Sequence, residues 1–400
     1  MNKSTVISSL IAFGLVASLG LASCTTNEDS TNTTTAQGSQ EASGSSLVVM
    51  LQKTQTAPSY VTSFANTYIK NAQSSKDQFQ LVVLDGDPYI ALDSAVTLGS
   101  GNPNSENAAA EEQTQLAQIQ SCMYEATGKT DGVDIMSALA LADRAHASSA
   151  TGSGTTVIAA SGLSVTGALD LSGEGMLTVE SDTVVAYLKN YGYDLSHTKQ
   201  IIWYGLGDVA GDQERLTPVV KKSLQTMYEA ALVELGVEEV VFKDEPVAST
   251  TETNDSQPSA KLIDIPNVEP LQIPTDEAVK LDCETLPFIA GTADLVDPSS
   301  ASTTIAPFVE AMKSSPTLTC EVAGSTASYP WDPTYAYELG LERAQTVKDL
   351  MVSAGIDESR ITTKSYGDDA KNHIDDIDES TGLQIPELAQ QNRWTSLQLV

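Results

Sequence analysis

At 400 residues the chain is long enough for two or three domains, and 53 acidic against 21 basic residues give a net charge of −32. That charge repels nucleic-acid phosphates and disfavours direct docking on anionic lipid; its plainest consequence is solubility. Beyond the first 24 residues no run approaches the ~20 consecutive apolar residues that a membrane span needs.

The chain opens with Lys3 and an apolar run rich in small residues, "VISSLIAFGLVASLGLA", closing on Leu21-Ala22-Ser23-Cys24. A run of that length with small residues at its end reads as a signal peptide. The closing tetrapeptide resembles a bacterial lipobox. The resemblance implies removal of residues 1–23 and acylation of Cys24 with diacylglycerol and a palmitate-type chain. Two or three acyl chains make a durable anchor, where one holds only marginally. The expected location is the outer face of the cell membrane, or the periplasmic face in a Gram-negative envelope. Residues 24–46 then read as the lipidated cysteine and a polar, flexible tether with too few apolar side chains to order itself. Of the remaining cysteines, Cys122, Cys283 and Cys320, none forms a C-x-x-C pair, so zinc has no support. Cys283 and Cys320 fall in expected strands of an exported chain and are a candidate disulfide.

Residues 47–245 alternate apolar strands with amphipathic helices. Strands are expected at 47–51, 79–86, 155–161, 199–207 and 238–242, and helices at 58–74, 106–127, 133–149, 181–192 and 215–236. Continuous apolar strands interleaved with helices predict an α/β domain with a largely parallel sheet covered on both faces. "TDGVDIMSALALADRA" followed by "TTVIAASGLSVTG" resembles a von Willebrand factor A-type domain, a Rossmann-like sheet being the alternative. That family carries a metal-binding D-x-S-x-S after its first strand, where this chain reads Gln52-Lys53-Thr54-Gln55-Thr56, and Ser161-Gly162 replaces a later acidic position. Thr130 is the one matching ligand. A hard cation needs anionic oxygens, so no metal is expected here.

Other motifs fail on spacing. Gly128-Lys129-Thr130 lacks a glycine five residues earlier, where Met123 stands, so the phosphate-loop cradle is missing. Asp85-Gly86-Asp87-Pro88 reads as a turn at a strand end. His146, His197 and His373 are scattered, and no G-x-S-x-G elbow or H-E-x-x-H accompanies them, so neither an enzyme nor a cofactor is implied. Asp376, Asp378, Ser380 and Glu387 approach a calcium-loop spacing, but Gly382 falls one position late; a solvated acidic loop is expected.

Residues 246–276, rich in Pro, Ser, Thr and Asp, predict a partly extended linker. Residues 277–400 follow as a second domain with the order β-α-β-α-β-β, one mixed sheet with two helices on one face. "GTADL", "VAGSTA", "LGLERAQTVKDLMVSAGI", "SRITTKSYGDD" and "NRW" together resemble the OmpA-like peptidoglycan-binding domain over essentially this whole region. In that family an Asp and an Arg hold the amine and carboxylate of diaminopimelate. Arg343 matches the arginine, Thr326 its strand-end position, and Asn392 and Arg393 the closing motif. Ala327 stands where the Asp belongs, and Asp332, in the loop before the helix, is the candidate substitute. The resemblance implies a surface lipoprotein held to peptidoglycan or another wall component without covalent bonds. Its N-terminal domain would serve as a protein-interaction or scaffold module. The alternative is a solute- or partner-binding lipoprotein in which the OmpA-like domain is only structural.

Overall fold

The computed structural model describes residues 44–92, 95–250, 254–266, 273 and 277–400; Cys24 and the signal segment lie outside them. β1 (Ser46–Gln52) is buried at every position and forms the middle of the first sheet. β2 (Ser59–Tyr60), α1 (Asn66–Ser75), β3 (Gln78–Leu84), β4 (Tyr89–Ile90), β5 (Val96–Thr97), α2 (Ser105–Glu125) and α3 (Ile135–Ala147) follow it. Then come β6 (Gly154–Ala159), α4 (Ser181–Asn190), β7 (Thr198–Tyr204), α5 (Pro218–Glu234), β8 (Glu239–Lys243) and β9 (Ala248–Thr250). The sheet runs β4-β3-β1-β6-β7-β8, with β1, β3, β6, β7 and β8 parallel and the short β4 and β5 antiparallel on β3.

The two-residue period of a strand explains the layering. Val48 and Met50 point into one apolar cluster, while Leu47, Val49 and Leu51 point into another on the opposite face. A sheet buried on both sides therefore reads as an uninterrupted apolar run. The helices begin where capping side chains accept from free amides, at Asn104, Asp134 and Thr217. The helix expected over 58–74 begins only at Asn66, because Ser59–Tyr60 leaves to pair with β9.

The expected linker is in large part a strap on the first domain. Ala248–Thr250 pairs with β2, and Ile263 and Ile265 are buried in the N-terminal core. Two isoleucines two residues apart in an extended segment present one apolar face, which burial favours over solvent.

The second domain holds β10 (Val279–Asp282), α6 (Pro298–Ser314), β11 (Cys320–Ser325), α7 (Pro333–Ser353), β12 (Ile361–Gly367), α8 (Pro386–Asn392) and β13 (Trp394–Leu399). Its sheet runs β10-β13-β11-β12, with β11 and β12 parallel and β13 antiparallel to both its neighbours. Phe308 and Met312 of α6 and Val347 and Met351 of α7 share one core with Leu281, Val322 and Leu397 of the sheet. The expected order holds, with the short α8 added before the last strand. Cys283 and Cys320 are free thiols, not a disulfide. Cys320 pairs with Leu399, and Cys283 follows Asp282, which pairs with Trp394. The two thus lie at opposite ends of β13, about 20 Å apart along the strand at its usual rise. Among the described residues no helix is long and apolar enough to cross a membrane.

Candidate ligand-binding site

β11 ends at Ser325, and the loop to α7 is pinned from several sides. Thr326 N–H donates to Gly367 O (2.8 Å), Ser328 N–H to Asp376 Oδ2 (3.1 Å), and Tyr329 N–H to Asp368 Oδ2 (3.1 Å). Asp332 caps α7 by accepting from Tyr335 N–H (3.0 Å), with Pro333 at the first helical position. It is therefore engaged at the helix start and does not replace the missing acid of the strand end. Ala327 is fully buried. α7 then approaches β11 so closely that a Cβ on Gly324 would overlap the Gly340 carbonyl. That approach sets Arg343, one turn later, against the end of the sheet.

Arg343 is 3% exposed. Its Nε donates to Thr292 O (2.9 Å), and its guanidinium lies 5.0 Å from the centre of the Phe288 ring. Its Nη2 lies 2.5 Å from Oε1 of Glu180, a residue of the N-terminal domain. Arg393 Nε approaches the other oxygen of the same carboxylate at 3.4 Å. Arg393 also donates to Gln390 Oε1 (2.7 Å), Thr183 Oγ1 (2.5 Å) and Gln384 Oε1 (2.8 Å). Burial alone would raise the Glu180 pKa, but Arg343 and then Arg393 outweigh it and hold the carboxyl below its ordinary range. Glu180 directly precedes α4, yet its side chain does not cap that helix and goes to the arginines. The space left beside it is about 10 Å³, lined by Thr178 and Glu180 from one domain and by Phe288, Ser325, Arg343 and Arg393 among others from the second.

The remaining candidate positions have structural duties. Thr326 is buried, its hydroxyl donating to Ala327 O (3.1 Å). Asn392 accepts from Ile374 N–H (2.8 Å) and donates to Ile374 O (2.8 Å) and Asp376 Oδ2 (2.9 Å). Asp376 is fully buried, which corrects the expectation of a wholly solvated acidic loop. Its neighbour Asp378 is the turn-former, accepting from Ser380 and Thr381. His373 Nε2 lies 2.8 Å from Ser328 Oγ, but Asp376 lies on that same nitrogen at 4.0 Å. A relay would need the carboxylate on Nδ1, which has no hydrogen-bond partner among the described residues. Sequence reasoning missed Glu180, Thr183, Gln384 and Gln390, because nothing local marks a side chain whose partners belong to another domain.

In the first domain the strand order reverses between β1 and β6, where open α/β sheets take ligands. Gln52 Oε1 accepts from Ser161 N–H and Oγ–H (both 2.9 Å), and its Nε2 donates to Thr54 Oγ1 (3.0 Å), which is 3.2 Å from Thr56 Oγ1. Asp85 accepts from the amides of Lys129 (2.6 Å) and Thr130 (3.0 Å). The uncharged set Gln52, Thr54 and Thr56 does not fit a hard cation. Across the top runs the strap: Gln55 N–H donates to Pro258 O (2.9 Å) and Gly132 N–H to Ser259 O (2.8 Å).

Comparison with known proteins bears on the second domain. Residues 288–381 match the model of the OmpA family. The C-terminal domain is OmpA-like. Solved structures similar to this chain include the periplasmic domain of Helicobacter pylori MotB, at 20% identity over 32% of this chain and 78% of that one, TM-score 0.26. The OmpA-like domain of FopA1 from Francisella tularensis is 21% identical over 31% and 71%, TM-score 0.24. The peptidoglycan-associated lipoprotein of Burkholderia pseudomallei is 19% identical over 30% and 89%, TM-score 0.23. A search of curated proteins finds no match.

Proposed function

We propose that this protein is a cell-envelope lipoprotein, anchored through acylated Cys24, whose OmpA-like domain binds a carboxylate of a wall peptide at Arg343. The N-terminal domain serves as an interaction module, and no bond-making step is involved. The observation that carries this reading is the convergence of Arg343 and Arg393 of the OmpA-like domain on one carboxylate, in a pocket between the two domains. Guanidinium groups suit carboxylates because of their planar, multiply donating geometry. With Ala327 at the family's acid position, the site favours the anionic part of a peptide over its ammonium.

The test is co-sedimentation of the full chain with purified peptidoglycan. Arg343→Ala is expected to lower the bound fraction at least tenfold, while equal sedimentation of wild type and variant would count against the reading. Metabolic labelling with palmitate should disappear in Cys24→Ala. A second reading, a partner-binding protein whose OmpA-like domain is structural, is favoured by Glu180 already filling the pocket. Absence of wall binding by every form of the chain would select it.

A further inference from the structure

Glu180 gives the arginine pocket a ligand before any wall peptide arrives. We propose that Glu180 is an internal pseudo-ligand: its carboxylate holds the pocket shut, and a wall carboxylate binds only by displacing it and parting the two domains. This rests on the wall-binding reading above.

Three observations converge. The first is chemical identity, since the group in the pocket is itself a carboxylate and lies against both guanidinium groups. The second is space. About 10 Å³ remains beside Glu180, room for a single water and none for a peptide. An external carboxylate and Glu180 therefore exclude one another. The third is the character of the docking surface. Among the described residues the apolar clusters of the two domains stay separate, with none shared across the boundary. Hydrogen bonds join the domains around the pocket, beside a small cleft where Val179 and Met227 of one domain and Phe288, Ile289 and Val296 of the other share the lining. Gly175 N–H donates to Glu284 Oε1 (2.9 Å), Gln390 Nε2 to Thr178 O (2.9 Å), and Thr183 Oγ1 to Gln384 Oε1 (2.9 Å). Polar interfaces between domains of one chain are those that part and re-form, as water can replace each hydrogen bond.

Mass action then sets the consequence. Affinity for an external ligand is reduced by the fraction of molecules in which the pocket is open, so removing Glu180 removes that penalty. The protein supplies its own reporter of opening. Cys283 is 9% exposed and packs where Gly175 of the other domain meets Gln390. Cys320 is 1% exposed inside the C-terminal core and serves as the internal control.

The experiment uses the full chain, measuring peptidoglycan co-sedimentation together with the alkylation rates of Cys283 and Cys320. Glu180→Gln is expected to bind wall at least tenfold more tightly than wild type and to expose Cys283 without exposing Cys320. Soluble disaccharide-peptide fragments of peptidoglycan should expose Cys283 in wild type. Glu284→Ala loosens the docking away from the arginines and should shift both readouts the same way, several-fold. Wall binding that is unchanged in both variants but lost in Arg343→Ala would overturn the pseudo-ligand and leave the wall reading standing. Binding absent from wild type and both variants would overturn the wall reading and this proposal with it. Exposure of Cys320 together with Cys283 would mean unfolding of the domain, and would also overturn the proposal.

Discussion

His146 is fully buried beneath β6, with Nε2 2.8 Å from Thr156 Oγ1 and no hydrogen-bond partner for Nδ1 among the described residues. Burial first, and the nearby His197 second, push its pKa down to about 3. The folded protein therefore keeps this imidazole neutral, whereas the unfolded chain protonates it below ~6.5. Folding stability is undiminished above that pH and falls by about 1.4 kcal/mol per unit as acid is added, until the folded value is reached. His146→Gln removes that slope. Urea unfolding at pH 7 and pH 5 should show wild type losing roughly 2 kcal/mol more than the variant; equal losses would refute the assignment. Residue-scale legibility divides along the same line. Arg343 was readable through the resemblance of "LGLERA" to the OmpA-like helix motif, although its burial was not. Glu180 was not, since a lone acid before a helix looks like an ordinary cap and its true partners lie far along the chain.

Helices and strands were the most legible features, because apolar period survives even when long-range pairing is unknown. β1, β3, β6, β7 and β8 lie where the apolar runs put them. The elements that escaped are those too short to show a period, such as the two-residue β2, β4 and β5 and the seven-residue α8. The strap escaped for another reason: its composition is that of a linker, and only the burial of Ile263 and Ile265 distinguishes it. Packing of α7 on β11 depends on two glycines, since a Cβ on Gly324 would meet the Gly340 carbonyl and one on Gly340 the Ser365 hydroxyl. Backbone cannot yield as a flexible side chain does. Gly324→Ala should cost about 1–3 kcal/mol, as overpacked cores do, and lower the Tm of the C-terminal domain. At the strap, a Cβ on Gly128 would strike both the Lys53 carbonyl and the Pro258 ring. Gly128→Ala should lift the strap, and limited proteolysis should cut within residues 254–266 faster than in wild type. Unchanged cleavage would mean that the isoleucines alone hold it.

Over the whole molecule, two acidic domains are brought together around two buried arginines and one buried carboxylate. The net charge of −32 opposes that docking, so the local convergence of positive charge must outweigh a general repulsion. Removing one member of such a buried pair typically costs about 3–5 kcal/mol, because the other is left unpaired. Acid removes it without mutation. Glu180 is held below the ordinary carboxylate range, so its contribution is complete above the unfolded value of ~4.3 and disappears as pH falls through the lower folded one. Asp182, Tyr329 and Tyr335 also face this cluster, but each is pushed upward by burial, and neither tyrosine gains charge on acidification. His146 weakens the N-terminal domain from ~6.5 downward, well before Glu180 begins to protonate. The two events should therefore separate on acidification. Hydrogen-exchange protection factors measured at pH 7, 5.5 and about 3 should fall first in residues 143–159, around His146. Residues 288–296, which meet the N-terminal domain beside the arginines, should keep their protection at pH 5.5 and lose it only below the unfolded carboxylate value of ~4.3. Loss of protection at 288–296 by pH 5.5 would show that docking does not depend on the charge of Glu180.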